Sequence, residues 1–154
     1  MKRGFSLIEI IMVLAIGGLI LGTAFIGVPM LRRNQRDTIR KGAIENLAVG
    51  FKAYQSAHDG CLPSRTVVCP GTGAVAISPP SGELGGPIVT GGYVDLDDIG
   101  TDPTSNTAYQ FVEATTVPAS CTAATITYTR TNDKQFSLSV CLETNDVFTQ
   151  DYGF

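Results

Sequence analysis

Residues 5–31 read FSLIEIIMVLAIGGLILGTAFIGVPML, a run of 27 with a single charged residue, Glu9. A bilayer core needs about 20 apolar helical residues, so the run is long enough to span with some tilt. A helix resting on a soluble core would show a polar face at 3.6-residue spacing, and none is visible. A cleavable secretory signal has an apolar region of about 7–15 residues closed by small residues. This run is longer and no such site ends it. The reading is a membrane-spanning helix preceded by a short cytoplasmic stub, Met1–Gly4.

Charge divides the chain on either side of the following segment. Residues 1–52 carry eight Lys/Arg against three acids, and residues 53–154 carry three against eleven, so +5 and −8 sum to the formal charge of −3. This asymmetry argues against a plain cytosolic domain and against a nucleic-acid binder with a broad basic face. Lys2 and Arg3 favour a cytoplasmic N-terminus, but Arg32, Arg33, Arg36, Arg40 and Lys41 after the span outnumber them. The positive-inside count alone therefore points the other way. The cysteines oppose that count. Cys61, Cys69, Cys121 and Cys141 all lie beyond the span without CxxC spacing, which reads as disulfides in an oxidising compartment rather than as a zinc site. Of the three possible pairings, Cys61–Cys69 and Cys121–Cys141 are preferred. The first closes a short loop, and the second joins odd-numbered positions near one end of an expected hairpin.

Glu9 is the anomaly in the apolar run. A carboxylate inside a membrane helix costs about 2.5–3.5 kcal/mol on insertion scales, less near the helix start where the dipole favours it. Lys2-Arg3-Gly4-Phe5-Ser6-Leu7-Ile8-Glu9 resembles the prepilin signature of type IV pilins and type II secretion pseudopilins: a short basic leader ending in Gly, then Phe, a hydroxyl residue, two aliphatics and Glu. The resemblance implies cleavage between Gly4 and Phe5 by a prepilin peptidase, N-methylation of Phe5, and a cytoplasmic N-terminus before assembly. It further implies that Glu9 pairs with the Phe5 amine of a neighbouring subunit. Removal of the leader leaves 150 residues and a net charge of −5. Family members commonly bend the helix at a proline a few residues before Pro29; Ile26 fills that region here. A kink or melted stretch is expected around Gly22–Pro29, since glycine costs roughly 1 kcal/mol and proline about 3 in a helix interior. Gly18 and Gly22 also stand at GxxxG spacing, suited to close helix contact.

Beyond the span, Ile44, Leu47, Phe51, Tyr54 and His58 follow at spacings of 3 and 4, one stripe of an amphipathic helix. One long helix from about Phe5 to His58 is expected, stopped by Asp59-Gly60. The basic cluster Arg32–Lys41 reads either as a solvated or headgroup-facing surface, or as a contact with acidic faces of neighbouring subunits. Residues 60–92 hold eight of 17 glycines and five of eight prolines, incompatible with regular helix or central strand. Asp95, Asp97 and Asp98 are calcium candidates, but they lack the EF-hand pattern, and a solvated acidic loop is the simpler reading. Asp102-Pro103 through Asn106 marks a turn. Strands are expected at about 108–114, 123–130 and 135–143, with Ala124, Ile126, Tyr128, Phe136, Leu138, Val140 and Leu142 on one face toward the helix.

The expected fold is α+β and type IV pilin-like, a long membrane-spanning helix packed on a small antiparallel sheet of about three strands. Its parts are the leader 1–4, the transmembrane and polymerisation helix 5–31, the amphipathic half 32–59, a Gly/Pro-rich variable region 60–107, and sheet and tail 108–154. The expected function is a pilus subunit forming a homopolymer, served by prepilin peptidase and inner-membrane assembly machinery, first in the membrane and then in an extracellular filament. The competing readings are a pseudopilin of a secretion or DNA-uptake machine and a membrane-anchored, non-polymerising adhesin. One histidine and no convincing pair of acids leave no catalytic site to assign. No cofactor, metal or nucleic-acid partner is expected.

Overall fold

The computed structural model describes residues 6–73, 75, 77, 84–120, 122, 124–132 and 134–153. The chain divides into two units, Met1–Gln35 and Arg36–Phe154. Helix α1 runs from Leu7 to Ala57 and contributes to both. Two short helices follow, α2 (Pro87–Thr90) and α3 (Leu96–Ile99), then strands β1 (Gln110–Ala114), β2 (Thr125–Asn132), β3 (Gln135–Cys141) and β4 (Val147–Gly153).

In the first unit the apolar side chains face outward. Leu14, Leu21, Phe25 and Leu31 are all exposed, Phe25 to 81%. Among the described residues α1 is the one helix long and apolar enough to cross a membrane. The helix continues through Gly22 and Pro29 without interruption, so the melted stretch expected there is absent from the single chain. Pro29 has no N–H, which leaves the Phe25 carbonyl without its helical donor. The surrounding turns keep their own ladder, and one missing bond is too little to unwind them.

In the second unit α1 is the spine. Ala43, Ile44, Leu47, Ala48, Phe51 and Tyr54 are buried against Phe111, Ile126, Tyr128, Phe136, Leu138 and Val140. Phe51 is at the centre, with ring centroids 5.9 Å from Phe111, 5.2 Å from Tyr128 and 5.6 Å from Phe136. Gly50 lets the chain of α2–α3 come close: a Cβ there would lie 2.5 Å from Val94 Cγ2 and closer still to the Tyr93 carbonyl oxygen. The helix ends where expected, with Asp59 and Gly60 both at positive φ, 54° and 81°. The Gly60 N–H returns to the Gln55 carbonyl at 2.9 Å. His58 closes the stripe half-buried, its ring 4.3 Å from that of Tyr54 and its Nδ1 2.9 Å from the Pro70 carbonyl oxygen.

The sheet corrects the expected topology. Among the described residues it has four strands in the order β1-β2-β3-β4 where about three were expected, and it is mixed rather than antiparallel. β2–β3 and β3–β4 are antiparallel, but β1 runs parallel to β2 with Phe111 opposite Ile126. The ten residues between β1 and β2 carry the chain back to the starting end, as a parallel pair requires. The expected second strand begins two residues late, since Ala124 takes a φ of 58°, outside the extended region. β3 stops at Cys141, leaving Leu142 and Glu143 to a turn. β4 was expected as tail. Its Phe148 and Tyr152 lie under Lys41 and Lys52 of α1, with ammonium-to-ring distances of 4.7 and 5.1 Å.

Candidate functional site: the helix start and the neck

Three groups of residues carry the expected chemistry. At the start of α1, Ser6 and Glu9 stand in the N-cap and N3 relation. The Glu9 N–H donates to the Ser6 carbonyl at 3.1 Å, and the Ser6 N–H donates to Glu9 Oε2 at 2.9 Å. This is the returning half of a capping box. It gives the carboxylate a local donor at the positive end of the helix dipole, which is how an acid is tolerated in so apolar a segment. Gly4 and Phe5, the expected cleavage and methylation pair, lie outside the described residues. Gly22 and Pro29, the expected kink positions, both sit within the continuous helix.

The second group is the neck, where the structure overturns the expected surface role of two cations. Arg40 is 2% exposed and Asp102 fully buried. Arg40 donates from Nε to Asp102 Oδ1 at 2.7 Å and from a terminal nitrogen to Thr104 Oγ1 at 2.9 Å. Arg36 grips Glu143 through two bonds, 2.8 Å to Oε1 and 3.2 Å to Oε2. The Thr104 hydroxyl donates to the same Glu143 oxygen, and the Glu143 N–H donates to Asp37 Oδ1 at 2.9 Å. Asp102 Oδ2 accepts from the Thr104 N–H, the Ser105 N–H and the Ser105 hydroxyl at 2.9–3.1 Å. Arg36 and Arg40 are thus not a solvated or intersubunit face: they fasten α1 to the 102–107 turn and to the turn after β3.

Charge in the neck follows from these contacts. Burial alone would raise the Asp102 carboxyl, but hydrogen bonds from Arg40 and Ser105 outweigh it and hold the group below its ordinary value. Hydrogen bonds from Arg36 and Thr104 lower Glu143 as well. Burial, aided by the Asp102 charge, pushes the nearby Tyr109 hydroxyl up to about 12. The network went unread in the sequence although one signal was available. Arg40 lies seven residues before Leu47 and four before Ile44, on the buried stripe itself, and a cation on a buried stripe requires an acid opposite.

The third group comprises the cysteines and the acidic loop. Cys61 and Cys69 are bonded to each other, with Cα atoms 5.7 Å apart, closing the loop that follows α1. Cys141 is also disulfide-bonded; its expected partner, Cys121, lies outside the described residues. Asp95 caps α3, accepting from the Asp97 N–H at 3.0 Å, while Asp97 and Asp98 are exposed. Among the described residues no three His, Cys, Asp or Glu side chains stand together as a metal site.

Residues 1–25 match the prokaryotic N-terminal methylation motif. The chain therefore carries a prepilin-type signature, that of the type IV pilin and pseudopilin family, and its α+β architecture fits a type IV pilin-like fold. The motif points to a structural subunit rather than an enzyme and implies processing by a prepilin peptidase. No curated protein and no solved structure matches the chain.

Proposed function

We propose that the chain is the structural subunit of a type IV pilus filament, held in the membrane before assembly and polymerised through the first half of α1. The observation that carries this reading is the methylation motif of residues 1–25 heading a 51-residue helix whose early apolar side chains face outward rather than into the protein's own core. Cleavage after Gly4 frees the Phe5 amine, which is methylated and pairs with Glu9 of the adjoining subunit. Glu9 then exchanges its own Ser6 N–H for a cation, which favours the assembled register over the solitary subunit. Contacts repeated head to tail without closure build an open helical filament, with the sheet domain on its outside beyond the cell membrane.

A second reading, a pseudopilin of a secretion or uptake machine, draws on the segment Gly92–Pro103, which supplies α3 and the buried Asp102 and resembles the corresponding pseudopilin region. Electron microscopy of sheared surface filaments, with mass spectrometry of their subunit, separates the readings. Abundant surface filaments whose subunit begins at N-methylated Phe5 support the pilus. A correctly processed subunit that never forms surface filaments favours the pseudopilus, and an unprocessed, non-polymerising chain at the surface would indicate the adhesin.

A further inference from the structure

Of the five cations in the neck, three have partners within the domain. Arg36 binds Glu143, Arg40 binds Asp102, and Lys41 lies over Phe148. Arg32 and Arg33 differ: both are exposed, and the one acid of residues 6–35, Glu9, stands at the far end of the apolar run. They immediately follow Leu31, where the apolar run ends. Below them Leu21, Ala24, Phe25, Val28 and Pro29 form a shallow groove along one side of α1, and Arg32 closes its end. Small Ala24 sits beside the exposed ring of Phe25.

Resting on the membrane-subunit reading above, we infer that this groove with Arg32 and Arg33 is a docking site for one anionic glycerophospholipid of the surrounding bilayer. An acyl chain lies against Leu21–Val28, and the phosphodiester meets the two guanidiniums at the membrane surface. The shape of the site matches that ligand: an apolar channel about two helical turns long, ending in planar donors suited to phosphate oxygens. Position favours lipid over an acidic face of a second copy: Arg32 and Arg33 stand directly at the end of the apolar run, where the headgroups of a bilayer begin. The acids of the neck are engaged within the chain: Asp37 pairs with Arg40 and accepts from the Glu143 N–H, and the Glu143 carboxylate pairs with Arg36. A zwitterionic lipid offers the same phosphate but cancels its charge, so the site discriminates by headgroup.

The test uses the full chain in nanodiscs containing equal phosphatidylglycerol and phosphatidylcholine, with the lipids retained on release counted by native mass spectrometry. Phosphatidylglycerol is expected to be enriched about fivefold or more over the bulk ratio, as one unscreened arginine at an anionic surface provides. R32Q/R33Q should return retention to the bulk ratio, while K134Q leaves it unchanged. A24L, which fills the groove, should lower retention of both lipids. Equal retention of the two lipids by the unmodified chain overturns the site, as does undiminished preference in R32Q/R33Q. If R32Q/R33Q instead abolishes cross-linking between copies with lipid retention unaltered, the arginines serve a second copy and the lipid site is likewise overturned. Failure of the chain to insert into the nanodisc sinks the membrane-subunit reading too, whereas insertion without headgroup preference removes the lipid site alone.

Discussion

Arg40 and Asp102 meet at 2.7 Å with both side chains removed from solvent, joining the neck of α1 to a turn 62 residues further along the chain. The pair is not isolated. Thr104 touches both Arg40 and Glu143, so the 102–107 turn, α1 and the turn after β3 share one set of bonds.

Removing one member of a buried pair strands the other, at a cost of about 3–5 kcal/mol. Arg40→Met is therefore expected to lower the stability of the full chain in detergent by that amount, read from urea denaturation followed by near-ultraviolet circular dichroism. The double variant R40M/D102N should be less destabilised than the sum of the two single changes. Additive losses would show that the two groups do not act as a pair.

Because Asp102 and Glu143 are both held below their ordinary values, their contribution is present above the unfolded carboxylate range, about 3.9–4.3, and lost as pH falls through the folded values. Tm should be level near neutrality and fall steeply below about pH 4. In D102N/E143Q the acid slope should be visibly shallower and the neutral Tm lower. An unchanged acid slope in that variant would place the acid sensitivity elsewhere.

Two glycines of α1 should respond to alanine with opposite signs. At Gly50 a methyl group meets the Tyr93 carbonyl and Val94, whereas at Gly42 nothing lies within 4 Å. Gly42→Ala should raise the stability of the subunit by up to about 1 kcal/mol through helix propensity. Gly50→Ala should lower it by about 1–3 kcal/mol through overpacking. Thermal melts of the two variants side by side decide the matter.

Glu9→Ala should abolish filaments while leaving the melting of the sheet domain unchanged, since among the described residues the Glu9 side chain bonds to Ser6 at the helix start. Gly4→Leu should block processing with the same outcome. Filament yield by electron microscopy and subunit mass are the readouts, and normal filaments from E9A would dispose of the assembly role.

Much of the fold was legible because its signals were periodic. The stripe Ile44–Tyr54 announced the buried side of α1, and the even-numbered apolar residues of β2 and β3 announced the inner face of the sheet. What escaped was directional or paired. Alternation along Gln110–Ala114 says nothing of whether its neighbour runs parallel, so the crossover into β2 was invisible. β4 was hidden because Gln150 breaks the apolar alternation between Phe148 and Tyr152, which pack half-buried at the edge of the core beneath lysines of a distant helix. Arg40 was read with its neighbours as one basic cluster, since charge counting does not distinguish a cation facing solvent from one with a buried acid opposite. At the helix start the motif residues stand together in the chain, and their resemblance to the prepilin signature exposes them.

The neck bonds also order events in time. Asp37 waits for the backbone of Glu143, 106 residues later, and Lys41 waits for the ring of Phe148. In the proposed orientation the N-terminus stays in the cytoplasm and the segment after the span crosses first, so the root of α1 emerges early and stays unfastened until nearly the whole polypeptide has crossed. In that orientation closure of the neck requires most of the polypeptide to have crossed, and a subunit truncated before Glu143 would keep that clasp open.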